Sequence, residues 1–99
     1  MAAYLTAYLE ISDPEAYRAY AVQVPGLVAQ FGGRFLARGG GLELLEGTVQ
    51  PKRAVIIEFP SVDQAHKFYF SPQYQAIVPL RQANARTDLI SIIEGVAAL

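Results

Sequence analysis

The chain has 99 residues, 53% of them hydrophobic, with eight Lys plus Arg against nine Asp plus Glu for a formal net charge of -1. A chain of this length forms one domain that buries roughly 60–65% of its unfolded surface, and a charge near zero provides no field to draw in a polyanion, which argues against nucleic acid as a partner. With no cysteine there are no disulfides, thiolate metal sites or thiol nucleophiles; no basic segment precedes an apolar run, and no apolar stretch nears the roughly 18 residues that span a bilayer, so the chain reads as soluble and cytoplasmic, without membrane contact.

Ala3 to Ile11 alternates, with Ala3, Leu5, Ala7, Leu9 and Ile11 on one side and Tyr4, Thr6, Tyr8 and Glu10 on the other. This predicts a strand with one aliphatic and one aromatic-polar face. Ser12-Asp13-Pro14-Glu15 then opens a helix, either with Asp13 as N-cap and Pro14 in the first turn or with Ser12 and Glu15 as a capping box. Tyr17, Tyr20, Ala21, Val24, Leu27, Val28 and Phe31 keep the 3.6-residue period, Gly32 is placed to stop the helix, and Pro25-Gly26 predicts a kink or break.

The stretch Phe31 to Gly47 predicts a strand with Arg34, Leu36 and Arg38 on alternate positions, a turn at Gly39-Gly40-Gly41, and a second short strand carrying Glu43 and Glu46. Gln50-Pro51-Lys52 reads as a loop. Arg53 to Phe59 is the next strand, with Val55, Ile57 and Phe59 on one face, Arg53 joining them only at the strand's edge, and Ala54, Ile56 and Glu58 opposite. Glu58 is a carboxylate in an apolar strand and needs a partner.

Ser61 and Gln64 form a capping box that starts a helix over Val62 to Phe70. Ser71-Pro72 restarts it, and the second piece, Gln73 to about Ala85, sets Tyr74, Ile77, Val78, Arg81 and Ala85 on one stripe, so Arg81 is a charge on an inward edge. Asp88 to Gly95 is the last strand, with Leu89, Ser91 and Ile93 on one face, and the tail Val96 to Leu99 docks or frays.

Strand, helix, strand pair, strand, helix, strand with right-handed crossovers gives an α+β ferredoxin-like antiparallel sheet with both helices on one face. Its other face carries Tyr4, Tyr8, Ile56 and either Leu36 or Phe35. A bare apolar sheet on so small a domain would aggregate, which predicts pairing, sheet to sheet, with a second copy.

Several local motifs coincide with a known family: Ile11 to Glu15, Tyr17 and Tyr20, Phe31-Gly32-Gly33-Arg34, Arg38-Gly39-Gly40, Leu45-Glu46-Gly47, Pro51 and Arg53, Ile57-Glu58-Phe59-Pro60, Ala65, Phe68-Tyr69, Ser71-Pro72, Tyr74, and Leu80-Arg81. In these the chain resembles, over nearly its whole length, the short bacterial proteins of domain-of-unknown-function family 1330. The resemblance implies a subunit of the dimeric α/β-barrel superfamily, in which two sheets pack face to face. That superfamily includes cofactor-independent monooxygenases of aromatic polyketides, muconolactone isomerases and haem-binding members, while the family itself has no established activity. Where the family commonly has tryptophan before the tyrosine, this chain has Phe68, which keeps the aromatic and loses the indole N–H.

Candidate chemistry centres on the charged and phenolic groups. Arg38 and Glu58, expected on neighbouring strands, either form an ion pair bracing the glycine turn or divide the work, Arg38 holding a ligand carboxylate and Glu58 acting as base. Arg81 with Tyr69 and Tyr74 could complete an anion or enolate pocket between helix and sheet, or Arg81 could reach out to the domain edge. Tyr17 and Tyr20 lie on the core stripe, as packing residues or ligand contacts. His66, the one histidine, stands on a polar helix side and reads as a surface residue; it is the only imidazole a haem could use, and no cofactor is expected. No metal is expected either, since Glu43, Glu46 and Glu58 scarcely cluster. The glycine run lacks a phosphate-loop pattern, and there is no Gly-x-Ser-x-Gly elbow.

Two readings stay open. One is a homodimeric, cofactor-independent enzyme, monooxygenase- or isomerase-like, acting on a small carboxylated or phenolic metabolite, with Glu58, Arg38 and Tyr69 catalytic and Arg81, Tyr74, Tyr17 and Tyr20 binding the ligand. The other is a non-catalytic dimeric ligand-binding or structural module with the same residues bracing sheet and dimer.

Overall fold

The structure is a computed structural model that describes residues 1–48 and 52–97. Gln50 and Pro51 of the expected loop and the last two residues of the tail lie outside the described residues. The order is β1 (Ala3–Ile11), α1 (Pro14–Ala21), α2 (Val24–Gln30), β2 (Arg34–Arg38), β3 (Arg53–Phe59), α3 (Val62–Tyr69), α4 (Pro72–Asn84) and β4 (Ala85–Glu94). β1 pairs antiparallel with both β3 and β4, and β2 lies outside β3, giving the sheet order β2-β3-β1-β4. Two interleaved crossovers of this kind make the α+β ferredoxin-like fold, with all helices on one side.

Strict alternation decides what that side sees. Ala3, Leu5, Ala7 and Leu9 of β1 are buried with Val55, Ile57 and Phe59 of β3 beneath the helices. Val28, Phe59 and Phe68 are the largest side chains sealed completely, so Phe68→Ala would cost about 3–5 kcal/mol. On the opposite face Tyr4, Thr6 and Tyr8 stand across from Ile93, Ser91 and Leu89, with one hydrogen bond between the Thr6 and Ser91 hydroxyls (2.7 Å). Much of this face is open, with Ile93 59% exposed and Leu89 43%, while Leu42, Leu44 and Glu46 lie beside Tyr8.

The caps match the sequence signals. Asp13 Oδ1 accepts from the Ala16 N–H (3.1 Å), Ser61 Oγ from Gln64 (3.1 Å) and Ser71 Oγ from Tyr74 (3.1 Å). Gly32 ends α2 with φ +80°, a conformation that costs a side chain energy.

The structure corrects four local expectations. The first helix breaks at Val22 and Gln23, earlier than Pro25-Gly26, and Pro25 falls in the first turn of α2, where its missing N–H costs nothing. The stretch expected as a second short strand, with Glu43 and Glu46, has no strand at all: among the described residues nothing pairs beyond β2, which is the edge of the sheet. β4 begins directly at Ala85 rather than Asp88, because the Ser12 and Asp13 N–H groups donate to the Asn84 carbonyl (2.9 and 3.3 Å) and pin the helix end onto the sheet. Asp88 is then the extra residue of a bulge, since Leu9 opposes Thr87 and Tyr8 opposes Leu89.

The fourth correction carries the most consequence. Arg34, Leu36 and Arg38 do not share a face. Arg34 pairs with Glu58, Phe35 with Ile57, Ala37 with Ile56 and Arg38 with Val55, so Leu36 is a bulge that reverses the alternation. Phe35 and Arg38 therefore lie on the helix side, and Arg34 on the open side.

Candidate functional site

Beneath α1 and α4, where the first helix breaks, the layers enclose a cavity. Its walls are aliphatic (Leu5, Ala7, Leu9, Val24, Val55, Ile57), its aromatic groups are Phe35, Phe68, Tyr17, Tyr20 and Tyr74, and its charges are Arg38, Arg53 and Arg81. The empty space, counted to the mouth, is about 490 Å³, but only about 40 Å³ is open to the centre of a water molecule. That is room for about three water molecules, so a ligand larger than this binds with side chains of the lining moved aside.

Each guanidinium is set by local structure. Arg81 lies two turns beyond Tyr74 on α4, so both point at the sheet; it is 3% exposed and donates to the Thr87 hydroxyl of β4. Arg38 is turned inward by the Leu36 bulge, lies 4.8 Å over the Phe35 ring, and donates from Nη2 to the Ala21 carbonyl at the end of α1 (2.8 Å). That carbonyl is one a helix leaves unpaired at its C-terminus, where a cation is favoured. Arg53 shares its side of β3 with Val55 and Ile57 and reaches under the Gly39 turn.

Among the described residues no carboxylate and no imidazole lines the cavity. Among the described residues the ion pairs are Arg34–Glu58 (2.9 Å), Lys67–Asp63 (3.1 Å), Arg86–Glu10 (2.8 Å) and Arg86–Asp88 (2.8 Å), so none involves Arg38, Arg53 or Arg81. The Nε groups of Arg53 and Arg81 are shielded from solvent with no hydrogen-bond partner among the described residues. A buried cation left unpaired is costly, and an anion in the cavity would relieve it.

The tyrosines supply neutral donors. The Tyr20 and Tyr74 hydroxyls share a 2.6 Å hydrogen bond, and the Tyr17 and Tyr20 rings lie 5.3 Å apart. Burial pushes the Tyr20 hydroxyl far above its ordinary value, reinforced by Tyr74. Burial also raises Tyr17, although Arg53 beside it works in the opposite direction. Both stay protonated at neutral pH and can donate, not abstract, a proton.

Of the residues expected from sequence, the cavity brings together Arg38, Arg81, Tyr17, Tyr20 and Tyr74. It does not include Glu58 or Tyr69. Glu58 accepts from Arg34 Nε on the open face of the sheet, so the expected Arg38–Glu58 pair does not form. Tyr69 packs on Tyr74 (5.6 Å between rings) and Phe70 (5.0 Å), with its carbonyl accepting from Gln75. His66 is exposed and edges Phe70 (5.9 Å). Among the described residues no three His, Cys, Asp or Glu side chains cluster as metal ligands, and no helix is long and apolar enough to cross a membrane. The aliphatic walls, Phe35, Phe68 and Arg53 were not among the expected ligand contacts, and the signal for Arg53 was its shared parity with Val55, Ile57 and Phe59.

Fold and cavity together define a ferredoxin-like protein with a cationic, tyrosine-walled cavity between helices and sheet. The chain belongs to the family described as Domain of unknown function (DUF1330), whose model matches residues 2–96. No curated protein matches it. Among solved structures it is similar to a protein of unknown function from Rhodopseudomonas palustris (TM-score 0.73, 20% identity, 98% of this chain and 84% of that one). It is also similar to SnoaB, a cofactor-independent oxygenase from Streptomyces nogalater (TM-score 0.68, 11% identity, 99% and 96%). A third is a dimeric protein of unknown function and ferredoxin-like fold from Bacteroides fragilis (TM-score 0.51, 13% identity, 95% of each chain). At these identities the likeness speaks for the fold.

Proposed function

We propose that this protein binds a small carboxylated or phenolic metabolite, as its anion, in the cavity between helices and sheet, and acts on it as a cofactor-independent enzyme of monooxygenase or isomerase kind. The observation that carries the reading is the convergence of Arg38, Arg53 and Arg81 on an apolar space with no carboxylate among the described residues of its lining. In such a space a buried guanidinium such as that of Arg81 stabilises a carboxylate, phenolate or enolate far better than a water-exposed one does, with half-buried Arg53 and exposed Arg38 adding their charge from the lining. Tyr17, Tyr20 and Tyr74 would donate hydrogen bonds to developing negative charge. The likeness to a cofactor-independent oxygenase supports the catalytic part.

Assembly belongs to the same proposal. The open sheet face, with Tyr4, Tyr8, Ile56, Leu89 and Ile93, pairs with the same face of a second copy, as its exposed aliphatic groups require. The dimeric relative with this fold supports it. Glu58 then braces that interface with Arg34 rather than serving as a base.

A second reading is favoured by one observation: among the described residues no carboxylate or imidazole lines the cavity to serve as a conventional base. A binding module without turnover needs none. Native mass spectrometry of the purified protein tests the shared part: a dimer with a discrete small-molecule adduct, lost in Arg81→Met, is expected, and a bare monomer would contradict both. Oxygen uptake and product analysis with the identified ligand then separate enzyme from module.

A further inference from the structure

The Gly39 turn is built around the Arg53 side chain. Gly39 has φ +70°, and its N–H donates to the Ala54 carbonyl (2.9 Å), which fixes the turn against β3 next to Arg53. A Cβ on Gly39 would collide with Arg53 Nη1 and come within 2.9 Å of Cζ, whereas a Cβ on Gly40 or Gly41 would meet nothing within 4 Å. Of three consecutive glycines, only the first has a positive φ and a neighbour in the way. The space its missing side chain leaves is filled by a guanidinium whose Nε is sealed off and unpaired among the described residues. A turn that needed only a left-handed residue could use asparagine; this one also needs the absence of a Cβ.

We infer that Arg53 is a direct anion-binding residue of the cavity and that Gly39 is its positioning residue, the missing Cβ being what lets the guanidinium hold its place in the cavity wall. The inference rests on the anion-binding reading above and assigns a role to two residues that reading leaves open. It also narrows the ligand. Arg81 is buried at the helix side and Arg53 comes from the sheet, so the two cations approach the cavity from opposite layers. A single-ring acid with a second oxygen substituent matches both contacts. Because the atom in conflict is the end of a flexible side chain, a Cβ at Gly39 moves the charge and leaves the fold standing.

The test is calorimetric titration of benzoate, 4-hydroxybenzoate and 2-hydroxybenzoate into the intact protein and its variants. Gly39→Asn keeps a residue that tolerates the left-handed conformation but adds the Cβ. It should weaken the tightest of the three acids at least fivefold, as should Gly39→Ala, while Gly40→Ala binds as the unaltered chain does. Arg53→Ala should weaken the same acid at least tenfold, and adding Gly39→Asn to it should produce no further loss, since the glycine acts only through the arginine. Melting curves should show every variant folded. Unaltered binding in Gly39→Asn, or a full additional loss in the double variant, overturns this inference while the cavity reading stands. Absence of binding by the unaltered protein to all three acids at millimolar concentration overturns the anion-binding reading itself, and this inference with it.

Discussion

Arg34 and Arg38, four positions apart on one five-residue strand, face opposite sides of the sheet. The Leu36 bulge separates them, so one arginine pairs with Glu58 on the open face and the other enters the cavity. Their substitutions should therefore have different effects. Arg38→Ala is expected to weaken ligand binding about tenfold or more, the worth of a charge-assisted hydrogen bond, without altering the dimer. Arg34→Ala and Glu58→Gln should leave ligand binding intact and change stability by only about 0–1 kcal/mol, as for exposed pairs, with the effect appearing in the dimer constant. Titration calorimetry and sedimentation on the three variants check both halves; loss of ligand binding in Glu58→Gln would return that carboxylate to the site.

Buried phenols make the fold sensitive to alkali. Tyr17 and Tyr20 titrate above the ordinary value of 10.0 in the folded chain because burial disfavours the phenolate. The unfolded chain therefore loses these protons first. Stability is full below pH 10 and falls as pH rises beyond it, by up to about 1.4 kcal/mol per pH unit for each such group. In Tyr20→Phe the slope above pH 10 should be shallower by one group's share. Urea unfolding between pH 8 and 11 measures it, and an unchanged slope would show that Tyr20 is not held protonated.

The open sheet face should be severed by one charge. Ile93→Asp puts a carboxylate on the edge strand of that face without disturbing the core, since Ile93 is 59% exposed in the single chain. The expected result is a folded monomer at micromolar concentration by sedimentation, with far-ultraviolet dichroism unchanged. A dimer that survives the substitution would place the contact elsewhere.

The fold was legible where local chemistry is self-sufficient. Asp13, Ser61 and Ser71 announce helix starts through hydroxyl or carboxylate groups that reach only three residues ahead, and alternation in β1 and β3 shows which side is buried. The site was half legible. Tyr74 and Arg81 follow from helical spacing, but Arg38 depends on a bulge, and a bulge is decided by how two strands pair rather than by either strand's own residues. The same cause misled the pairing of Arg38 with Glu58. Glu43 and Glu46 sit among leucines whose alternation imitates a strand, yet β3 already has β1 on one side and β2 on the other, so that segment has no partner edge there. Arg53 shows a different limit: its parity was visible, but its importance depends on what Gly39 lacks.

The central claim, that the three-arginine cavity is an anion site, turns on Arg81. Arg81→Met keeps length and burial while removing the charge, and exchanging a buried, unpaired cation for an apolar chain should leave the melting temperature unchanged or raise it. Calorimetric titration of 4-hydroxybenzoate into the unaltered protein and Arg81→Met is the most direct measurement. The account predicts saturable binding to the first and a loss of about 2 kcal/mol or more, roughly thirtyfold, in the second. Equal affinity in the two proteins would contradict it.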